Sequence, residues 1–555
     1  MTDLRLLRIS QVLLISAFGA GILVVTPYSS IDPINLPKMS LLGTFAFLFL
    51  GISSLRRKAI NSSIDKLFLF SLVAFVVNST LVLFFSGRNL IESFYGIGGR
   101  NTGYLTYFSL ALLMYFASSV VTENFLKHFQ DSFLALGIFL LIYGFVQYFG
   151  YEPFPYISAY ANNVIGTFGN PNFHGAFLGI FGSFVFPLLF EKQSSLIKRV
   201  ALFSVTIFVI LGIITTKAWQ GFFSLAIGSG VALLIIIFRL GYRRVSAAIV
   251  GCGILFVIVL SAALFNSGPL ADILAKNSLV ARRIYWETAV KILVEHPLFG
   301  VGWDGFGDWF RRGRSEIAAT QNGGFISDSA HSVPLDIGSG GGFPLLVIYL
   351  AIVILVGFRI TQIVLKRSNL SFTFIGISAA WVSYQAQSLI SINQIGLATI
   401  GWTLSGLIIG YFTISDPGPI KKSESNAKQV SKLPASVFVV PFIFFIIGSV
   451  VSLPPINAAN KFHNALRSSD ARQIEEGAYL VPLDIRRMIL AANILERNNF
   501  HEQAEKILIE TTKHFPDSFD AWSFYRTLSK ISPKDKATID IELLRLDPNR
   551  VNTTK

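Results

Sequence analysis

Apolar residues in this chain come in long blocks. Thirteen runs of mostly apolar residues lie near 8–28, 39–55, 66–86, 102–121, 130–149, 173–190, 199–216, 220–238, 245–266, 343–365, 371–390, 394–414 and 435–452. A helix crossing the hydrocarbon layer needs about 20 such residues, because lipid offers no partner to a free backbone group. Each run is therefore expected to span a membrane: twelve spans form a body and a thirteenth follows. The pair near 199–238 is divided only by the short segment from Thr215 to Gln220. The first run is too long for a signal peptide and lacks a clear small-residue cleavage site before the next span. Past residue 453 the pattern changes. Apolar positions recur at helical intervals in the stretches Ala491–Leu495, Ala504–Leu508, Ala521–Leu528 and Ala537–Leu544, which predict successive amphipathic helices.

Composition agrees. Hydrophobic residues make up 52% of the 555 and charged residues 14%, against about 25% charged in a soluble domain. An ordinary water-soluble enzyme and a disordered chain are both excluded. The single cysteine, Cys252, excludes intramolecular disulfides and multi-cysteine zinc sites, and its apolar surroundings predict a small buried hydrophobe. The net charge of +14 would suggest nucleic acid in a soluble protein. Here it reads as cytoplasmic Lys and Arg flanking spans, with no nucleic-acid partner. With the N-terminus cytoplasmic, nineteen basic residues fall in inside segments and four (Lys38, Arg88, Arg100 and Lys217) in short outside loops. This orientation puts the long loop 267–342 and the region 453–555 outside. The four basic residues kept outside against the bias are candidates for function.

The expected organisation is a membrane domain over 1–414, a polar cytoplasmic linker over 415–433, a further span over 434–452, and an extracytoplasmic helical domain over 453–555. In the last of these, Ala504 and Ala537 lie 33 apart and Pro516 and Pro548 lie 32 apart. With "HFPDSFDAW" and "LRLDPNR", this resembles tetratricopeptide repeats. Such a stack offers a surface for a protein partner or for an acceptor; a helical cap on the outer loop is the other reading.

The polar motifs gather in the outside loops. In "YGIGGRNTGYLTYFSL", Arg100 sits among glycines that permit close approach to a ligand. Its guanidinium suits a phosphate, or a lipid headgroup. "IGTFGNPNFHGAFLGI" opens a span at Gly169-Asn170-Pro171-Asn172. The free amides there suit an anion, and Asn172 is expected to cap the helix or to contact such an anion. His174 reads as a membrane-interface histidine. In "SLVARRIYWETAVKILVEHPLFGVGWDGF", Arg282 and Trp286 are one helical turn apart, so one can orient the other. Arg282 and Arg283 point in different directions on a helix, so only one of them is expected to face a site, and His296 reads as a helix-end residue. "RRGR" at 311–314 reads as a solvated or headgroup contact. In "SDSAHSVPLDIGSGGGFPLLVIYLAI", His331 has the pKa range of a general base, and Asp328 is placed either to hold its imidazole or to cap the loop. Gly338, Gly340, Gly341 and Gly342 let the backbone bend into the membrane.

Twelve spans, a long outer loop before the tenth, "GTFGNPNFHGAFL", "RRIYWETAVKILVEHPLFGVG" and "DSAHSVPLDIGSGGGFPLL" together resemble the bacterial O-antigen ligase family, over residues 1 to about 415. The family includes O-antigen ligases, Wzy-type polysaccharide polymerases and protein O-oligosaccharyltransferases, some with tetratricopeptide tails. The resemblance implies an all-α, GT-C-like membrane bundle in the bacterial inner membrane. It implies a glycosyltransferase that needs no cofactor, metal or nucleotide sugar. The donor would be a glycan on undecaprenyl pyrophosphate, and the acceptor a lipid, glycan or protein hydroxyl. His331 matches the family's proposed base. Arg282 matches the loop arginine proposed to bind pyrophosphate, with Arg283 as the fallback if the register differs by one. Arg100, Lys217 and Asn172 are further donor-phosphate candidates, and Asp328 and Trp286 supporting ones. The chain departs from the family after span seven. "TTKAWQG" has no arginine there, and Lys217 is expected to supply the charge. His331-Ser332 also replaces the usual His-Asn. A transporter or flippase is the reading from another class, disfavoured because the spans carry almost no mid-depth charge and show no inverted repeat. A membrane anchor for the helical tail is a third reading.

Overall fold

The computed structural model describes residues 2–55, 64–154, 160, 163–191, 195–264, 277–320, 325–367, 369–415 and 436–549. Among the described residues the chain is helical and forms no strand. In chain order the membrane part comprises α1 (Thr2–Leu23), α2 (Asn35–Leu55), α3 (Lys66–Phe85), the short α4 (Leu90–Tyr95), α5 (Tyr104–Ser119), α6 (Glu123–Tyr148), α7 (Pro171–Val185), α8 (Leu196–Thr216), α9 (Trp219–Arg239) and α10 (Arg243–Leu264). The long loop contributes α11 (Asn277–Glu295), α12 (Phe306–Gly313) and α13 (Glu316–Thr320); then come α14 (Val333–Lys366), α15 (Phe372–Leu389), α16 (Ile395–Ser415) and α17 (Ser436–Ser452). The C-terminal helices are α18 (Pro454–Ser468), α19 (Ala471–Ala478), α20 (Ile485–Arg497), α21 (His501–His514), α22 (Phe519–Arg526) and α23 (Pro533–Leu546).

All thirteen apolar runs fall on helices. Nine helices among the described residues are long and apolar enough to cross a membrane, ten if the pair around Leu453, bent by 46°, is one span. This is a multi-pass membrane protein. The linker expected at 415–433 lies outside the described residues from 416 onward. Cys252 is exposed on the surface of α10, not buried as expected.

Aromatic packing and small residues hold the bundle together. Phe49 stacks on Phe116 with ring centroids 4.0 Å apart, and Phe133 lies against Phe181 and Phe184. Gly179 on α7 faces the backbone of Gly221 on α9, where a Cβ would come within 2.4 Å of the carbonyl oxygen, so the two helices pack backbone to backbone. Large apolar side chains on the outside of α3 (Phe70, Val77, Phe84), α8 (Ile197, Phe203, Ile214) and α14 (Val347, Ile354, Leu365) are exposed, as a lipid-facing band requires.

The two ends of the bundle differ chemically. At one end Arg359 pairs with Asp65 at 2.6 Å and Arg367 with Glu123 at 2.9 Å. The opposite end gathers alternate connections. Asn35 donates to the carbonyl of Gly99, Gln394 to the side chain of Asn35, and the hydroxyl of Thr167 to the carbonyl of Ile22. The long loop sits on this second end.

The C-terminal helices have a core of their own, including Phe462, Met488, Ala491, Leu495, Ala504, Leu508 and Leu543. Three of the four expected amphipathic stretches face that core. In α23 the buried face is Ile539, Leu543 and Leu546, while Leu544 is exposed and Ala537 lies on the open side. The 33-residue spacing of Ala504 and Ala537 therefore joins positions that pack differently.

These helices dock on the long loop through "RRGR", which is not the solvated contact expected from the sequence. Arg311 pairs with Asp520 at 3.4 Å, Arg312 with Asp517 at 2.6 Å and Arg314 with Asp547 at 2.6 Å. The guanidinium of Arg311 also lies 4.0 Å from the ring centroid of Phe519. The Arg314–Asp547 pair is almost fully buried, with 5% and 2% of the side chains exposed. Truncating one member of such a pair costs about 3–5 kcal/mol, because the other charge stays buried alone. The docking is thus specific to these carboxylates.

Candidate functional site

Glycine chemistry builds the floor of the site. α14 is broken at Gly342, whose φ of 78° and ψ of 178° are not helical, so residues 333–341 form a separate short helix before the span. The preceding segment of "HPLFGVG" runs beside it. Val301 and Gly302 donate to the carbonyls of Ser339 and Gly340, each at 2.9 Å, and Phe343 donates to the carbonyl of Pro297 at 2.8 Å. A Cβ on Gly300 would meet the Gly340 backbone at 2.4 Å. The expected bend is present, at Gly342. Of the other glycines, Gly340 faces the backbone of Gly302 in the "HPLFGVG" segment.

His331 stands just before this short helix, with a left-handed φ of 52°. Asp336, in the first turn, accepts from the amide of Ala330 and the hydroxyl of Ser329, both at 2.7 Å; the Ser329 hydroxyl in turn accepts from the amide of His331 at 3.1 Å. This lattice fixes the backbone of His331. Its ring Nδ1 lies 3.2 Å from the carbonyl of Ser329 and 3.4 Å from the hydroxyl of Ser327. A neutral ring donating Nδ1–H to that carbonyl leaves its Nε2 lone pair as the proton acceptor. The ring of Tyr285 on α11 lies 5.0 Å away, centroid to centroid. Burial, together with the charges of Arg100 and Arg282, lowers the pKa of His331 to about 4, against the opposing effects of the Ser329 carbonyl and Asp328.

Asp328 does not hold the imidazole. It forks Arg100, accepting from Nε at 3.0 Å and from Nη2. Burial would raise its pKa, but the charge and hydrogen bonds of Arg100 and the charge of Arg486 bring it down to about 2. Burial opposes the charge on Arg100, and Asp328 more than restores it, so that guanidinium titrates above its ordinary range. The glycines before Arg100 approach the C-terminal helices, not a ligand as expected. A Cβ on Gly98 would meet the carboxylate of Asp484 at 2.8 Å, and one on Gly99 would meet the guanidinium of Arg486 at 2.5 Å. Asp304 secures the other side of this loop, accepting from the amides of Ile97 and Thr102 at 3.1 and 3.0 Å and from the Thr102 hydroxyl. A small pocket lined by Arg100, Tyr107, Trp303, Asp304, Asp328 and Asp336 lies at this junction.

The two adjacent arginines separate clearly. Arg283 pairs with Glu287 at 2.7 Å on the exposed side of α11. Arg282 is partly buried, which lowers its guanidinium pKa, and it has no ion-pair partner among the described residues. The indole Nε1 of Trp286 is buried without a hydrogen-bond partner among the described residues.

The remaining sequence candidates lie apart from this cluster. Lys217 is the exposed, left-handed C-cap of α8 with φ 56°, and it forms no ion pair among the described residues. Asn172 does not cap α7. Asn170 is the cap, accepting from the Asn172 amide at 2.8 Å, and the Asn172 side chain is exposed. His174 is fully buried against Phe168 and Phe177. His296 ends α11, with its ring 4.4 Å from that of Trp309. Of the four basic residues retained on this side, Arg88 pairs with Asp308 at 2.7 Å and Glu92 at 3.3 Å, and Lys38 donates to the carbonyl of Thr167. Sequence reasoning missed Asp304, Asp336, Tyr285 and Arg486. For Asp336, an acidic residue in the first turn after a Ser-Val-Pro helix start was the available signal.

The arrangement offers an imidazole with Nδ1 engaged by the Ser329 carbonyl, Arg282 without an ion-pair partner among the described residues, Arg100 held by Asp328, and an indole Nε1 without a hydrogen-bond partner among the described residues at Trp286. Among the described residues no cluster of three or more metal-ligating side chains forms. No curated protein matches the chain. Residues 201–350 match the family model described as O-antigen ligase. That segment holds Lys217, Arg282, Arg283, Trp286, Asp328, His331 and Asp336, and ends just after the break at Gly342.

Proposed function

We propose that this chain, a member of the O-antigen ligase family by the match over residues 201–350, transfers a glycan from undecaprenyl pyrophosphate to an acceptor hydroxyl at the outer face of the bacterial inner membrane. The observation that carries this reading is His331. Its Nδ1 is engaged by Ser329 while Arg100 and Arg282 lie close enough for their charges to act on its ring. Breaking the glycosidic bond leaves negative charge on the pyrophosphate, and preorganised guanidinium groups stabilise that charge where it develops. Nε2 of His331 takes the proton of the attacking hydroxyl. A base opposite the leaving group favours inversion at the anomeric carbon. In this reading the N-terminus is cytoplasmic and the loop-bearing end lies outside, which the excess of basic residues in the inside segments supports. In this reading the C-terminal helices, with their tetratricopeptide-like pattern, form an extracytoplasmic wall beside the site.

The pH dependence follows from the lowered pKa of His331. With a value of about 4 in the free protein, the imidazole is a competent base above that pH and is lost as base below it. The acid limb of kcat/KM is expected near pH 4. A bound pyrophosphate offsets the field of the arginines and favours the protonated ring, so the acid limb of kcat is expected at higher pH. An acid limb of kcat/KM at or above the ordinary histidine range, coinciding with that of kcat, would contradict this.

Glycan analysis of a deletion strain tests the activity and separates the two enzyme classes. Polymer of full length that stays on the lipid carrier, with transfer restored by wild type and not by His331→Ala, is the expected result for a ligase or protein transferase. Accumulation of single repeat units would make the chain a polymerase. Unaltered glycans would reject both.

A further inference from the structure

Arg100 presents a difficulty for a residue meant to grip a phosphate. Its Nε and Nη2 already fork Asp328, and a guanidinium offers its best bidentate edge only once. Releasing Arg100 to an anion would leave Asp328 as an unpaired carboxylate beside two phosphates, a like-charge arrangement that costs binding.

The C-terminal helices supply what is missing. Arg486, in the first turn of α20, brings Nη2 to 3.8 Å from Asp328 Oδ2. It reaches this position because Gly99 has no side chain. Arg486 forms no other ion pair among the described residues. The nearby acids have partners of their own: Asp304 holds the Ile97 and Thr102 amides, while Asp308 and Glu92 hold Arg88. Asp484 caps its own helix by accepting from the Arg487 amide. Two cations therefore share one carboxylate, and that carboxylate is 44% exposed.

We propose that Asp328 is an exchangeable counter-ion and that Arg486 is a positioning residue for the donor: when a diphosphate engages Arg100, Asp328 passes to Arg486. The inference rests on the diphosphate reading of the site. Charge stays matched throughout. Arg100 exchanges a carboxylate for a phosphate, and Asp328 exchanges one arginine for another without crossing the pocket. The docking of the C-terminal helices through Arg311, Arg312 and Arg314 then has a role at the site, because it fixes where Arg486 stands.

The test uses the full chain in nanodiscs with undecaprenyl pyrophosphate itself as the probe. Arg486→Ala is expected to weaken binding roughly five- to ten-fold, the scale of one partly buried charge coupling. Arg486→Lys is expected to stay within about two-fold of wild type, since a point charge suffices for a single contact. The decisive variant is Asp328→Asn combined with Arg486→Ala. With no carboxylate left to hold Arg100, binding is expected to return to within about two-fold of wild type. A merely structural role for Arg486 predicts no such recovery. Unchanged binding in Arg486→Ala, or a double variant as weak as or weaker than Arg486→Ala, would overturn the inference and leave the donor reading standing. A wild-type chain that does not bind undecaprenyl pyrophosphate would overturn both.

Discussion

Replacing His331 with alanine is expected to lower glycan transfer by about 10²–10⁴-fold, the range that a positioned general base contributes, with the amount of protein in the membrane unchanged. The structure separates the two outcomes. The left-handed φ of His331 and the hydrogen bonds from Ala330 and Ser329 to Asp336 are backbone and neighbour contacts, which alanine leaves largely in place. What is lost is the ring itself, with its Nε2. Acceptor binding is expected to persist, so the loss falls on kcat. Normal transfer by this variant, measured as glycan on the acceptor with immunoblotting of the membrane fraction, would remove the imidazole from the mechanism.

The second large effect is expected at Arg282. Removing one preorganised donor to a developing negative charge typically costs about 10²–10³-fold in kcat, and Arg282→Ala is expected to fall in that range. Arg283→Ala serves as the internal control. Its side chain is 43% exposed and paired with Glu287 at 2.7 Å, and exposed pairs within one helix are worth only about 0.3–0.5 kcal/mol. Arg283→Ala is therefore expected to stay within about three-fold of wild type. The comparison needs single-turnover rates for both variants at saturating donor. Equal losses would mean that the helix, not a particular guanidinium, matters. A larger loss at Arg283 would reverse the assignment.

The two arginines show what the sequence could and could not disclose. That adjacent residues on a helix face different ways was legible from the helical period, so one of them had to lie apart from the site. Which one was not legible, because the answer depends on Glu287 and on how α11 lies against the long loop. The spans were readable because hydrocarbon imposes one local rule on every segment that crosses it. The loop motifs were readable as places where glycines, arginines and a histidine recur outside the spans. The partners were hidden by distance. Arg100 finds Asp328 across 228 positions and Arg314 finds Asp547 across 233, and no local period links residues so far apart. Asp328 shows the same origin: three positions before His331, it read as a support for the imidazole or a loop cap, but Arg100, from a loop distant in sequence, pairs with it. The glycines of "GIGGR" were read as permitting close approach to a ligand. What approaches is Arg486, from a part of the chain whose composition marks it as a different environment.

This also changes how the C-terminal helices are understood. Read from sequence, they were a partner surface or a cap. Their contacts with the long loop are made by three arginines on three carboxylates and by the Asn549 amide on the carbonyl of Arg314 at 2.9 Å. They also border the loop that carries Arg100. Arg486 there stands 3.8 Å from Asp328, the acid that pairs with Arg100.

The account depends most on a lipid diphosphate leaving as His331 takes a proton. The direct measurement is a single turnover with a donor labelled separately in its glycan and its undecaprenyl pyrophosphate, following both labels in wild type and His331→Ala. One undecaprenyl pyrophosphate released for each glycan transferred by wild type, with neither released nor transferred at a comparable rate by the variant, is the result predicted. Transfer at an equal rate by the variant, or glycan reaching the acceptor with its carrier still attached, would contradict it.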